Sequence, residues 1–243
     1  SSAASDVYKR QVSRPTNPTG NVLTDSEVEQ LDELAGRAKI PLIIDGAYGL
    51  PFPSIIFNDA RPHWNENTIL VLSLSKLGLP GVRTGIVVAN DEIINAFSNA
   101  NTVVSLANGN LGPSIVKELF TSGEILSLSN DRVKPFYKSR AHQALNWFRE
   151  ALAGVPYRIH QPEGAIFLWL WFEGLPITSQ ELYERLKRRG VLVVPGHNFF
   201  VGMDSEWRHQ WECIRISYAQ DSELVKKGIA LVGEEVRRAF REE

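Results

Sequence analysis

Apolar and polar positions recur along residues 12–90 with two different periods. In "VLTDSEVEQLDELAGRAK" (22–39), Val28, Leu31, Leu34 and Ala35 fall three or four apart, which puts them on one helical face. Thr24 with Glu27 three residues on predicts a capping box at the start of that helix. "IPLIID" (40–45) follows as a short continuous apolar run, the pattern of a strand covered on both faces. "TILVLSLS" (68–75) and "GIVVAN" (85–90) repeat the type. Strands of this kind, joined through a helix, predict an α/β fold with a mainly parallel sheet. Residues 91–152 then read as largely helical, ending in the long segment "RVKPFYKSRAHQALNWFREAL" (132–152), which leads out of this region.

The texture changes near Val155. "YRIHQP", "GAIFLWLWF", "GVLVVPG" and "CIRISYA" read as strands separated by helical stretches. One of those helices, from Ser179 to Arg189, has Thr178 and Glu181 as a second expected capping box. An amphipathic helix from about Ser222 to Arg241 closes the chain. Short interleaved strands and helices predict a smaller α+β domain. The expected division is therefore 1–11, a polar leader ("SSAASDVYKRQ") foreign to the fold; 12–135, a part of a large α/β domain; and 136–243, a linking helix and a C-terminal small domain.

Composition narrows the function classes. The 243 residues are 43% hydrophobic and 22% charged with a formal net charge of -2, so no global field draws the chain to nucleic acid or a membrane surface. The longest wholly apolar run, "AIFLWLWF" (165–172), is far too short to span a bilayer as a helix. A single cysteine, Cys213, excludes an internal disulfide framework and fits the reducing cytoplasm. His160 and His209 have no partner motif, and no metal-ligand spacing is present.

Four features carry candidate chemistry. "NPTG", Asn17 to Gly20, has the residues of a turn. Asp45 ends an apolar strand and precedes Gly46, Ala47 and Tyr48; such an Asp caps a helix or faces a ligand at the strand end. In "ILVLSLSKLGLPGVRTG" (69–85) a buried-strand pattern gives way to Ser73, Ser75 and Lys76, then to a Gly/Pro loop and Arg83. Two hydroxyls and a guanidinium suit an anionic phosphate. A lysine beside them, expected to be buried, has one frequent use, a Schiff base with an aldehyde cofactor. Fourth, Arg215 in "CIRISYA" lies on the strand face opposite Ile214 and Ile216, as an edge-strand arginine or as a bidentate carboxylate anchor.

In this order, Asn-Pro-Thr-Gly, Asp-x-x-Tyr after an apolar strand, Ser-x-Ser-Lys with Pro-Gly-x-Arg-x-Gly, and a late strand arginine, the chain resembles the fold-type I (class I/II) aminotransferases that use pyridoxal 5'-phosphate. The resemblance covers essentially everything from Val12 onward. "SRPTNPTGNV", "SLSKLGLPG", "PEGAIFLWLWF" and "VPGHNFF" look particularly like the branch that exchanges an amino group between L-valine and pyruvate. The resemblance implies that Lys76 binds the cofactor and, once freed, carries a proton between the substrate α-carbon and the cofactor. It implies that Asp45 faces the pyridine nitrogen and that Asn17 and Tyr48 bind the phenolic oxygen. Ser73, Ser75 and Arg83 would hold the phosphate, and Arg215 the substrate α-carboxylate. Trp169 and Trp171, on one strand face, read as packing, with an approach of one of them to the substrate pocket as the alternative, and His197 as a loop residue near the active-site mouth. Small-molecule amino and 2-oxo acid substrates and a homodimer of the intact parent are further implications, with no nucleic-acid or membrane partner.

Two departures stand beside the resemblance. Arg83 follows Lys76 by seven residues, where many members place it one further on; the shorter spacing is similar to aminotransferase-like ligand-sensing domains of transcription regulators, an alternative alongside a lyase or another aminotransferase. Members also carry a substantial region before Asn-Pro-Thr-Gly, so the chain is expected to be the C-terminal portion of such an enzyme, its large-domain sheet lacking strands.

Overall fold

In the computed structural model, which describes residues 10–203 and 207–242, the chain divides into two units. One takes the chain up to Thr16 together with Val22–Pro135; the other takes Asn17–Asn21 and everything from Phe136.

The first unit is built on a four-stranded sheet in the order β1 (Arg10–Ser13), β2 (Leu42–Asp45), β3 (Thr68–Ser73), β4 (Gly85–Val88). The first three strands are parallel, joined by α1 (Asp25–Arg37) and a long loop; β4 returns antiparallel to β3. β1 begins at Arg10, so Arg10 and Gln11, grouped by composition with the leader, pair with Leu42 and Ile43; residues 1–9 of that leader lie outside the described residues. Burial alternates strictly along β2 and β3, with Leu42, Ile44, Leu70 and Leu72 in the core beside Val28 and Ala35 of α1. β4 departs from the expected doubly covered strand: Gly85 and Val88 are exposed, because β4 forms the sheet edge. α2 (Asp91–Ser105), α3 (Leu111–Thr121) and α4 (Glu124–Leu128) follow, and a π-helical turn (Ser129–Val133) runs into α5 (Lys134–Ala151).

Both expected caps form at the helix starts, to different extents. At α1 the Thr24 hydroxyl accepts from Glu27 N and Glu27 Oε2 accepts from Thr24 N, at 3.3 and 2.7 Å. At α6 (Ser179–Arg188) Thr178 accepts from Glu181 N, but the Glu181 carboxylate is taken by Arg185 at 2.7 Å, so the second box is half made.

The second unit carries an antiparallel sheet in the order β5 (Arg158–Ile159), β6 (Phe167–Trp171), β8 (Cys213–Ser217), β7 (Val194–Pro195). β5 and β7 are only two residues long, much shorter than their apolar runs predict. The buried faces of α5 (Ala141, Ala144, Phe148), α6 (Leu182, Leu186) and α7 (Ser222–Ala239; Ile229, Val232, Val236) complete this core with Leu168, Leu170 and Ile214.

One ion-pair network ties α1 to its flanking loops. The Arg14 guanidinium is buried and donates to Leu23 O (2.8 Å), Arg61 O (2.9 Å) and Asp25 Oδ1 (2.7 Å). Asp25 also accepts from Arg61 N and Arg61 Nε. The backbone N–H of Arg61, then the Arg14 guanidinium, hold the Asp25 carboxyl well below the usual carboxylate range. A depressed carboxylate stabilises the fold at pH values above its unfolded pKa of about 3.9, and that stability is lost as pH falls further. Asp25→Asn should cost about 2 kcal/mol at pH 7, since it leaves a buried guanidinium without its counter-charge. In thermal melts the variant should also lose part of the wild-type difference between pH 7 and pH 3.5.

Candidate active site

The carboxyl ends of β1, β2 and β3 put Ser13, Asp45 and Ser73 at one edge of the first unit's sheet, where open α/β folds bind ligands. The chain turns sharply after each strand. Gly46 N donates to Val71 O at 2.8 Å, and Asp45 Oδ1 accepts from Ala47 N at 3.1 Å, fixing the half-buried carboxyl over its own turn. Tyr48 follows in the same turn.

After Ser73, fully buried Leu74 anchors a single 3-10 turn, Ser75–Leu77, through Leu77 N and Leu79 N, both donating to Leu74 O. Gly78, at φ +110°, supplies the left-handed backbone that leads out of that turn. Lys76 sits on the turn with Nζ 5.3 Å from the centroid of the Tyr48 ring. The sequence predicts a buried lysine; here it is half-buried, because it stands on the turn past the covered end of β3. Ser73 Oγ accepts from Ser75 N at 3.2 Å, and Arg83 Nη1 lies 3.5 Å from Ser75 Oγ and 3.4 Å from Pro80 O. Ser73, Ser75 and exposed Arg83 thus form one polar cluster beside Lys76. Asp45, Tyr48, Ser73, Ser75, Lys76 and Arg83 all belong to this unit.

This donor set fits a phosphorylated aldehyde cofactor. Hydroxyls and a guanidinium offer N–H and O–H donors to a phosphate, and the primary amine of Lys76 stands one residue after Ser75 and three after Ser73. A carboxylate lies at the end of the neighbouring strand.

Gly49 holds the Tyr48 turn in place. A Cβ there would lie well inside van der Waals contact of the Arg14 carbonyl oxygen, a backbone atom that cannot swing away. Gly49 N donates to Gly46 O and Gly49 O accepts from Ser54 N, so the clash would be relieved by moving the whole turn. Gly49→Ala is expected to destabilise the unit by about 1–3 kcal/mol. Cofactor affinity in the intact protein should fall with it, measured as a raised dissociation constant beside an unchanged far-ultraviolet spectrum.

Asn17 and Arg215 meet in the second unit. The Asn17–Asn21 segment is fastened there by Glu163 N donating to Gly20 O (3.2 Å) and by a His160 Nδ1–Asn21 Oδ1 contact (3.1 Å). Arg215 Nη1 donates to Asn17 Oδ1 at 2.7 Å. Arg215 stands opposite Trp169 in the β6–β8 ladder, and Phe167 lies on the same sheet face. Its Cζ is 5.0 Å from the Phe167 ring centroid and 5.1 Å from that of Phe199, which comes from the 3-10 turn Gly196–Phe199. Trp169 packs edge-on against Phe199 at 5.5 Å. Neither phenylalanine is singled out by the sequence. The alternation in "FLWLW" places Phe167 with Trp169, but their register against Arg215 is visible only once the strands pair.

The remaining candidates are structural. Burial pushes the Cys213 thiol up to about 12, so it stays protonated, 3.5 Å from His209 Nε2. His197 stacks on Trp211 with ring centroids 4.4 Å apart, and burial holds its imidazole below the ordinary range and therefore neutral at pH 7. Trp171 Nε1 donates to the buried Glu212 carboxylate at 2.7 Å. A polar cleft of about 800 Å³ between α5 and the β5 segment contains none of the predicted site residues. Among the described residues, no group of three or more His, Cys, Asp or Glu side chains could hold a metal, and no helix is long and apolar enough to cross a membrane.

The chain is similar to known proteins over most of its length. The family profile described as aminotransferase class I and II covers residues 12–231. Valine–pyruvate aminotransferase of Escherichia coli (strain K12) is 53% identical over 231 residues, 95% of this chain and 55% of the relative. The crystal structure of valine–pyruvate aminotransferase from Salmonella typhimurium LT2 superposes with a TM-score of 0.91 at 52% identity, over 97% of this chain and 61% of that one. The chain thus spans little more than half the length of these relatives.

Proposed function

The chain belongs to the class I and II aminotransferases, and from that premise we propose that the protein it forms transfers the amino group of L-valine to pyruvate, giving 2-oxoisovalerate and L-alanine. The observation that carries the reading is the six-residue cluster of the first unit: a lysine, two serines and an arginine on one loop, with Asp45 and Tyr48 on the next. Identity to the valine–pyruvate enzymes supports the choice of substrates.

The cluster fits pyridoxal 5'-phosphate, which supplies an aldehyde to receive the amino group and a ring to accept electrons. Ser73, Ser75 and Arg83 would hold its phosphate, and Asp45 would keep a proton at the pyridine nitrogen. Tyr48 donates to the phenolic oxygen; Asn17, whose carbonyl end accepts from Arg215, would use its amide N–H₂ end there. The Lys76 amine, once freed, would take the proton from the substrate α-carbon and deliver it to the cofactor's former aldehyde carbon, and would carry it the opposite way when pyruvate receives the amino group. Arg215 binds the substrate α-carboxylate through paired N–H donors. A homodimer and a cytoplasmic setting complete the proposal, on family resemblance and the lone, buried Cys213.

The test is product analysis on the intact protein supplied with pyridoxal 5'-phosphate, L-valine and pyruvate. Equimolar 2-oxoisovalerate and L-alanine are expected. Cofactor binding without any alanine would overturn the enzymatic reading in favour of ligand sensing, and alanine from other donors but not valine would overturn the substrate.

A further inference from the structure

We infer that Phe199 is a positioning residue for Arg215, holding its guanidinium so that the plane of the fork is set before a carboxylate arrives. The inference rests on the reading of Arg215 as the α-carboxylate anchor. A guanidinium interacts with rings through its faces and with carboxylates through its edge, so ring contacts orient it without consuming N–H donors. Arg215 has both kinds of contact: Cζ near the Phe167 and Phe199 rings at 5.0 and 5.1 Å, and Nη1 on Asn17 Oδ1 at 2.7 Å.

The two rings differ in origin. Phe167 is buried in β6, on the sheet face that Arg215 shares, so it is fixed by the sheet itself. Phe199 is half-buried and comes from a short 3-10 turn outside the sheet. That turn is fastened at several points. Trp169, buried and directly opposite Arg215, packs edge-on against Phe199 and lies 6.3 Å from Phe200. Phe200 packs in turn against Trp207 and His209. Asn198 Nδ2 donates to Pro195 O, and Gly196 lies so close to Cys213 O and Gln210 O that a Cβ would overlap them. A long arginine side chain has substantial rotamer entropy to lose on fixing. Two aromatic contacts and one hydrogen bond remove much of that freedom in advance, which is the general route by which preorganisation raises affinity. Phe199 is the member of this set that can be changed without opening the sheet.

The experiment compares Phe199→Leu, which deletes the ring but keeps an apolar side chain, with Phe199→Tyr, which keeps the ring. In the intact protein, Phe199→Leu should raise KM for L-valine about five- to tenfold with kcat changed less than twofold, the signature of lost uniform binding. Phe199→Tyr should stay within twofold in both. Isovalerate, which has valine's branched chain and carboxylate but no amino group, should bind Phe199→Leu five- to tenfold more weakly by calorimetry. A third readout needs no substrate: the Arg215 Nε–Hε NMR order parameter in the intact protein should fall in Phe199→Leu and hold in Phe199→Tyr. If wild-type protein does not convert valine, the proposed activity fails and the order parameter alone judges Phe199. If wild type is active and Phe199→Leu matches it in KM, isovalerate affinity and Arg215 order, the positioning role is overturned. Loss of Arg215 order in both variants would also overturn it, since the ring would not be what holds the guanidinium.

Discussion

Replacing Lys76 by alanine in the intact protein should lower valine–pyruvate turnover by about ten thousandfold or more, the upper range for removing a positioned acid–base group that, in the role proposed for Lys76, is also the covalent attachment point. The structure gives this lysine a particular setting. It follows β3 on a single tight turn anchored by buried Leu74, with Nζ over the Tyr48 ring and two serine hydroxyls close in sequence. Lys76→Arg separates two explanations. A guanidinium keeps the positive charge but cannot give up its proton near neutral pH, so it cannot serve as the base. If charge were what mattered, arginine would restore much of the rate; if proton transfer matters, both variants will be equally inactive. Visible absorbance supplies the second measurement, because the band of the lysine-bound cofactor should be missing in both variants even where fluorescence shows that cofactor is still held. A Lys76→Ala protein retaining more than about 1% of the wild-type rate would assign the proton transfer to another group, with Tyr48 the nearest candidate.

Much of this arrangement was legible in residue order because the chemistry is local. Asp45, Ser73, Ser75 and Lys76 lie at or just past the ends of apolar runs, so a strand boundary read from hydropathy already places them at the ligand-binding edge of a parallel sheet. Thr24 and Glu27 likewise define a cap through a three-residue spacing that any helix start imposes. Features that depend on distant partners were not legible. Arg215 and Asn17 are 198 residues apart in sequence, and no local pattern encodes their hydrogen bond. "GVLVVPG" looks like a full strand, yet only Val194–Pro195 pairs, since Pro195 has no N–H to extend a ladder and Gly196 turns into the Phe199 segment. The half-made cap at Thr178 has the same origin: the spacing predicts what Glu181 can reach, and Arg185 one turn on competes for it. Lys76 was expected in the interior because it follows a buried-strand pattern and stands beside a set suited to phosphate, but the turn that bears it leaves the covered part of the sheet.

Arg215→Lys should lower kcat/KM for L-valine by about a hundredfold or more, corresponding to about 3 kcal/mol for losing one partner of a hydrogen-bonded charge pair. Lysine preserves the charge, so the loss isolates geometry: a planar fork offers two parallel N–H donors to a carboxylate, and an ammonium offers a single compact point. Lysine also gives up the orientation that Arg215 takes from the Phe167 and Phe199 rings and from Asn17. Isobutylamine makes the assignment specific, because it is valine without the carboxylate. If Arg215 acts on that group, the slow reaction of isobutylamine with the bound cofactor will run at nearly the same rate in wild type and variant, while the valine reaction diverges. Equal losses for both amines would mean instead that Arg215 supports the β6–β8 sheet or the Asn17 segment as a whole. Asn17→Ala discriminates further: with the two rings still beside the guanidinium, it should cost L-valine less than Arg215→Lys does, and an equal or larger cost would shift the main burden of binding from the arginine to the asparagine.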